Sequence, residues 1–491
     1  MKQTGYLLAV DQGTSGTMAA LLDTRARLID SEDIPVALQT PHSGLVEQDP
    51  DELVRSIRTA AQRLMARHPD KLAELLGFGL ANQGETFLLW DRETGRPVTP
   101  AINWQDCRAE TLCSRMIDSG EDAWFHERTG LHLSPEWPAL KLAWLRKNEP
   151  SLAPLWDAGR LAYGQLDAWF LYCLTGGRHY ASDHSTACRS GLYNINTLDW
   201  DAALLTRFGA QGLALPRLCD NTERFDGVDL GIGRRLPWVA GGLDQSMALL
   251  GQGCTDPGSA KVTYGTCCAF WFNRGAKPVL DDTLTTSVAW KSGAAVYAAA
   301  AEGGAAGSII TWLHRNFRPD WQTGRLSELA EQSESSLLFV PAFAGLGAPY
   351  WQPAARGTIF GVTAATAPEH ILRAGLDAIA YTVRDILDAM PSCRTLVVDG
   401  GMCANDYLMR KQANVLGRTL LCPENTEGTV TGVAQLMRLG LGLISSPGEA
   451  AAAGTVRTIA PTGADSGYDR WKRAVDAVIR FYGEAPEGAS E

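Results

Sequence analysis

Tyr6-Leu7-Leu8-Ala9-Val10, then Asp11-Gln12-Gly13-Thr14-Ser15-Gly16-Thr17, then Met18-Ala19-Ala20-Leu21-Leu22-Asp23 read as an apolar run, a Gly-rich polar turn and a second apolar run. Both flanks have the composition of buried strands, and the turn between them suits a tight hairpin. Its glycines let backbone N–H groups approach an anion, Thr14 and Ser15 add hydroxyl donors, and Asp11 can hold a hydrated divalent metal. A P-loop would need a strand, a Gly-rich loop ending in Gly-Lys-Ser/Thr and a helix, and no Gly-Lys-Ser/Thr occurs in the chain. The stretch therefore predicts a phosphate-binding hairpin. A plain surface turn is the alternative, and partner motifs decide between the two.

With 491 residues the chain exceeds what one hydrophobic core supports, which predicts two large domains. Apolar residues make up 45%, enough for ordinary cores, yet no 18-residue uncharged apolar stretch appears, so no membrane span is expected. The first strand begins within a few residues of Met1, leaving no room for a signal peptide, and a cytoplasmic address follows. The net charge of −11 argues against nucleic acid as the main partner. An anionic phosphate donor would then rely on backbone amides and Mg²⁺. Eleven cysteines are scattered without a Cys-x-x-Cys pair, and Cys267-Cys268 reads as packed thiols rather than a disulfide. The eight histidines show no metal-ligand spacing.

Strand-like runs alternate with helical patterns throughout, which reads as α/β. Asp49 can cap a helix whose first position is Pro50, with Glu52 completing a capping box and Leu53, Ile57 and Leu64 on its apolar face. A second helix follows Pro368, with Leu372, Leu376, Ile379, Val383, Ile386 and Met390 as its core stripe. A last amphipathic helix carries Trp471, Val475, Val478, Ile479 and Tyr482. Gly251 to Gly258, with Asp256-Pro257, is the best boundary between halves, giving domains over residues 1–250 and 251–491.

The opening motif has echoes. An Asp after apolar residues and flanked by Gly recurs at Gly242-Leu243-Asp244-Gln245 and at Val398-Asp399-Gly400-Gly401, and Tyr264-Gly265-Thr266 forms a further Gly-Thr turn. Phosphoryl transfer needs a cradle for the donor phosphates, a metal, a base for the attacking hydroxyl and a site that excludes water. Asp244 follows the run Trp238 to Leu243, so it belongs at a strand end facing a cleft, where a carboxylate can take a hydroxyl proton. A helix N-cap is the competing role, since apolar Met247-Ala248-Leu249-Leu250 follows. Gly265-Thr266 offers a second anion site or a plain turn. Asp399-Gly400-Gly401 could seat a nucleoside against bare backbone or be an ordinary strand-to-helix turn.

These turns, in this order and spacing, resemble the FGGY carbohydrate kinases, which implies a two-domain, actin-like ATPase (ribonuclease H-like) α/β fold with a cleft between the domains. The most specific piece is Val340 to Trp351 with Ala355-Arg356-Gly357, which looks like the second family signature. Trp137 to Leu145 is similar to the first. Within the family the segments Asn82 to Thr86, Ala101 to Gln105 and Asn196 to Asp201 are most similar to the glycerol kinase branch. The resemblance implies ATP and Mg²⁺ as cofactors, Asp244 as general base, and Asp11 with Asp244 at the metal. It further implies Thr14, Ser15, Gly265 and Thr266 at the donor phosphates, and Gly307, Thr311, Gly401 and Asn405 near the nucleotide. Thr311 stands where the branch usually has Gln, and Met18 where it has Arg.

The acceptor side departs from the pattern. It would comprise Gly84, Glu85, Glu136, Trp137, Asp244, Gln245 and Ala269, but Gly84 stands for an Arg, Glu136 for a Tyr and Ala269 for a Phe. Losing an Arg fork removes a bidentate hydroxyl clamp, and Phe to Ala frees a ring's volume. A pocket fitted to glycerol would be left with voids and fewer donors, so the expected acceptor is a larger polyol or ketose of four to five carbons. Glycerol itself and a non-catalytic sensor on the same fold are the alternatives. The partner is then a small polyol or sugar, with no nucleic acid and no membrane, and the chain is expected to be a homo-oligomer, dimer or tetramer.

Overall fold

The computed structural model describes residues 5–281, 283–334, 336–390, 392–424, 427–449 and 455–483. The opening stretch is a hairpin: β1 (Tyr6–Gln12) and β2 (Gly16–Asp23) run antiparallel with Asp11 opposite Met18 and Gln12 opposite Thr17. Gly13 N donates to Gly16 O at 2.9 Å and closes the turn. Leu7 to Val10 and Ala19 to Leu22 are fully buried, so both faces of these strands are covered and the sequence runs apolar without alternation.

β3 (Leu28–Pro35), β4 (Leu75–Asn82), β5 (Phe225–Asp229) and β6 (Arg235–Leu243) complete a six-stranded sheet in the order β5-β6-β4-β1-β2-β3. α1 (Pro50–Arg67) covers it, and its Asp49 cap forms as predicted, the side chain accepting from Asp51 N and Glu52 N. β1, β4 and β6 are parallel, and Gln12, Asn82 and Leu243 lie in register. Their carboxyl ends thus form one edge, where open α/β sheets bind ligands. Between β4 and β5 the chain builds a smaller sheet, Phe87–Asp91 against Leu161–Gln165, over its own core around Trp137, Leu140, Trp156 and Tyr163.

α2 (Asp244–Gly251) leads to a seven-stranded sheet. Its strands are β7 (Ser259–Tyr264), β8 (Cys267–Gly275), β9 (Thr285–Ser292), β10 (Ala294–Ala305), β11 (Thr395–Asp399), β12 (Leu420–Pro423) and β13 (Val456–Ile459), in the order β9-β10-β8-β7-β11-β12-β13. β7 and β11 are parallel with Thr263 beside Asp399, so the Gly265-Thr266 and Gly400-Gly401 turns leave from the same edge. The helices are α3 (Gly307–Asn316), α4 (Pro368–Asp388), α5 (Asp406–Leu416), α6 (Gly428–Gly440) and α7 (Tyr468–Gly483). The stripe of α4 is buried as its spacing predicts, and Met390 lies just past the helix end.

α6 crosses α2 at backbone contact. A Cβ on Gly432 would overlap Met247 O, and one on Gly251 would overlap Gly428 O, both inside the 3.0 Å that real Cβ contacts respect. Around this crossing a single core gathers Leu7, Ala9 and Met247 with Trp271, Val433 and Met437. The two sheets therefore share buried surface beneath the cleft.

Candidate active site

Thr14, Glu85, Asp244 and Gln245, which follow the aligned strand ends, share the wall of one cavity of about 710 Å³ with Glu136 and Trp137, which precede the helix Pro138–Asn148. Cys267, Trp271, Gly303, Ser308 and Trp351 supply the facing wall. All six of the first group are sequence-derived candidates brought together by the fold.

Asp244 occupies the first turn of α2, but Leu243 is the N-cap, and the Asp244 carboxylate accepts from Gln245 N at 2.6 Å instead of capping the helix. Burial, then the Asp11 and Glu85 charges, push its carboxyl up to about 8, against which the Gln245 N–H and Lys261 act. Asp11 is pushed up to about 7, chiefly by burial and further by Glu427 and Asp33, while a Thr429 hydrogen bond opposes. Asp11 Oδ1 is buried and has no hydrogen-bond partner among the described residues. Lys261 is buried and its pKa is lowered by desolvation, which the Asp399 and Asp244 charges oppose. Its Nζ donates to Gln245 Oε1 at 2.9 Å and Thr263 Oγ1 at 2.8 Å, fixing the Gln245 amide.

Two mutually repelling carboxylates, one with an orphaned oxygen, fit a divalent cation with hard oxygen ligands. Among the described residues no group of three or more His, Cys, Asp or Glu gathers to hold a metal. Mg²⁺ takes one or two carboxylates and completes its shell with phosphates and water, a need that the unpartnered Asp11 oxygen fits.

The phosphate-turn candidates Gly265, Thr266 and Gly307 adjoin one another, and none of the three lines the cavity. Gly307 N donates to Gly265 O at 2.9 Å and Ser308 N to Thr266 O at 3.1 Å, so the start of α3 sits on the Gly265-Thr266 turn. A Cβ on Gly307 would come 2.8 Å from Gly265 O, which is why glycine stands there. Gly400, at φ +93°, packs on the Tyr264 backbone, whereas a Cβ on Gly401 would meet nothing within 4 Å. Gly401 thus faces open space. Thr311 and Asn405 have helix duties: Thr311 Oγ1 donates to Gly307 O at 3.2 Å, and Asn405 Oδ1 accepts from Leu408 N at 2.9 Å as the cap of α5. Ser15 is exposed at the hairpin tip and its carbonyl accepts from Val36 N at 3.1 Å. None of Gly401, Thr311, Asn405 or Ser15 lines the cavity itself.

The acceptor wall corrects two expectations. Gly84 is not a vacancy: a Cβ there would overlap Leu243 Cδ1, and the Gly84 carbonyl accepts from Gln165 Nε2 at 2.5 Å. Ala269 does not line the cavity. Trp271, two residues along β8 and on the same face, presents a ring instead. The guanidinium missing at residue 84 is met from elsewhere, by Arg189, which donates from Nε to Glu85 Oε1 at 2.6 Å. Arg189, Trp271 and Trp104 were absent from the sequence-derived set. The one available signal was an arginine among small and apolar neighbours, Ala187-Cys188-Arg189-Ser190-Gly191-Leu192, where a charge must be buried with a partner.

A polar network ties the hairpin to this wall. Trp104 Nε1 donates to Thr14 Oγ1 at 2.9 Å, and Asn103 Nδ2 donates to Gln83 Oε1 at 2.9 Å and Gln48 Oε1 at 3.0 Å. Lys141, buried and lowered to about 8 by desolvation against nearby carboxylates, donates to the Asn103 carbonyl at 2.7 Å.

Residues 6–251 match the N-terminal domain of the FGGY family of carbohydrate kinases, and residues 260–438 match its C-terminal domain. The chain is 36% identical to a glycerol kinase of Stenotrophomonas maltophilia (strain R551-3), covering 97% of this chain and 99% of that one. The fold superposes on a Plasmodium falciparum glycerol kinase solved with ADP at a TM-score of 0.90 and 28% identity, covering 97% and 98% of the two chains. A ligand-bound xylulose kinase of Lactobacillus acidophilus matches at 0.89 and 19% identity over 98% and 99%, a likeness of fold alone.

Proposed function

Since the chain belongs to the FGGY family of carbohydrate kinases, we propose that it transfers the γ-phosphoryl group of ATP to a primary hydroxyl of a neutral polyol or ketose of about four or five carbons. The observation that carries this reading is the grouping around Asp244: Glu85, Arg189, Glu136 and Gln245 share its cavity. Together they offer donors and acceptors for several hydroxyls beyond the one that reacts.

Asp244 holds the acceptor hydroxyl and takes its proton as the oxygen attacks, a role worth roughly 10²- to 10⁴-fold in rate. The Gln245 backbone N–H keeps the Asp244 carboxylate oriented, while Lys261 fixes the Gln245 side chain. The hairpin at Thr14 and the Gly265-Thr266 turn direct backbone N–H groups and hydroxyls at the donor phosphates, and the open face at Gly401 leaves room for the nucleoside. Asp11 and Asp244 would hold Mg²⁺, which when bound would supply neutralisation of the phosphate charge. The acceptor half then spans residues 1–250 and the nucleotide half 251–491.

Glycerol as acceptor is the second reading, favoured by the 36% identity to a glycerol kinase across nearly the whole chain. ATP-dependent turnover of glycerol, erythritol, the pentitols and the 2-ketopentoses decides between them. The proposal expects the highest kcat/KM on a four- or five-carbon acceptor. Highest efficiency on glycerol overturns the acceptor size, and no ATP-dependent product on any of them overturns the kinase assignment.

A further inference from the structure

Arg189 follows the single-turn helix His184–Ala187 and enters the cavity wall with only 8% of its surface exposed. Its stem lies over Gly84: a Cβ on Gly84 would stand 3.7 Å from Arg189 Cγ. Leu243 and the arginine stem together fill the wall at residue 84. Its guanidinium sits 4.6 Å from the Trp137 ring and 5.9 Å from the Trp271 ring. Nε donates to Glu85 at 2.6 Å and Nη1 to Ser287 Oγ at 3.1 Å. Burial opposes the charge, yet Glu85 and Glu136 more than offset it, and the pKa is raised.

The mounting is rigid. Ser287 belongs to β9, the edge strand of the second sheet, and Thr286 N donates to Gly130 O at 2.7 Å while Asn221 N donates to Lys291 O at 2.8 Å. Both ends of that strand are thus bonded to the acceptor half. A planar guanidinium between two indoles, with two of its five donor N–H groups fixed, has its remaining donors preset in direction.

We propose that Arg189 is the specificity-determining residue of the acceptor pocket, reading a hydroxyl other than the one facing Asp244, and that the pocket takes neutral polyols or ketoses and rejects aldonates. The rejection follows from charge. Arg189 is already paired with Glu85, and Glu136 brings a second carboxylate to the same wall, so an acceptor carboxylate would meet two like charges and one engaged guanidinium. The inference rests on the kinase reading above. A buried donor left unpaired is what rejects a deoxy analogue, by 10⁴-fold or more in well-built sites.

The test compares the wild-type full-length enzyme with Arg189→Lys, which keeps the charge, and with a Glu85→Gln/Arg189→Gln double variant, which removes both members of the ion pair together. Each is assayed on the best acceptor of the panel, on its monodeoxy analogues and on the aldonate of equal length. The wild type is expected to disfavour one deoxy analogue by at least about 100-fold in kcat/KM, and the aldonate similarly. Both variants are expected to narrow that deoxy discrimination to within about tenfold, through a raised KM for the hydroxylated acceptor. A merely structural role would slow all acceptors alike. Discrimination unchanged in both variants, or a wild type that phosphorylates the aldonate as well as the polyol, overturns the inference alone. A wild type that phosphorylates nothing overturns the kinase reading and the inference with it.

Discussion

Replacing Asp244 by Asn should lower activity and raise stability together. As the base, Asp244 accounts for roughly 10²- to 10⁴-fold in kcat, so turnover should fall by at least that lower bound. The stability effect comes from the cost of its charge. The carboxyl is pushed up to about 8 in the folded chain from an ordinary 3.8, by burial first and then by Asp11 and Glu85. The folded state therefore binds this proton more tightly than the unfolded one. Stability tied to the group is fully present below about pH 4, falls as pH rises, and is gone above the folded value of about 8. At about 1.4 kcal/mol per pH unit the full span would approach roughly 6 kcal/mol, an upper bound. Solvent in the cleft and relief shared with Asp11 reduce this to on the order of 1–3 kcal/mol.

Asn stays neutral, so in metal-free buffer the variant should match the wild type near pH 4 and exceed it increasingly up to pH 8–9. With about 2 °C per kcal/mol for a 250-residue unit, the Tm gain at pH 8.5 is roughly 2–6 °C. Differential scanning calorimetry of both proteins from pH 4 to 9 measures it, alongside coupled-assay turnover. A variant that keeps wild-type kcat, or whose Tm advantage does not grow with pH, refutes the reasoning.

Gly84→Ala places a Cβ against Leu243 Cδ1, next to Asp244, and should cost about 1–3 kcal/mol with a parallel loss of kcat. Adding Leu243→Ala should restore part of the turnover, and a neutral Gly84→Ala in urea melts and kinetics would contradict this packing. Gly432→Ala meets Met247 O, a backbone atom that cannot turn aside, so a loss above about 3 kcal/mol by urea denaturation is expected. An unchanged midpoint there would rule out the close α2–α6 crossing.

The elements with strong local signals were legible. The hairpin at Asp11, the capped start of α1 and the stripe of α4 each follow from spacing and cap chemistry, which act over a few residues and do not depend on the rest of the fold. Thr14, Glu85 and Asp244 meet in one cavity because strand-end positions converge once the strands are parallel, whereas Glu136 and Trp137 reach it from the turn before the helix Pro138–Asn148. Ala269 was misplaced within its own strand: Trp271, two residues on along the same face, lines the cavity and Ala269 does not.

By itself the sequence determined the Gly-rich turns on which the proposed donor side rests. Glycine-rich turns after buried strands announce bare backbone and phosphate chemistry wherever they fall, since the requirement is written in the turn residues themselves. The acceptor side was decided only by tertiary structure. Whether Gly84 leaves a hole depends on Leu243, and the guanidinium of the pocket comes from Arg189, 105 positions away in sequence and held by Glu85 and Ser287. A buried charge takes its meaning from the partners that offset its desolvation, and those partners meet only when the chain folds.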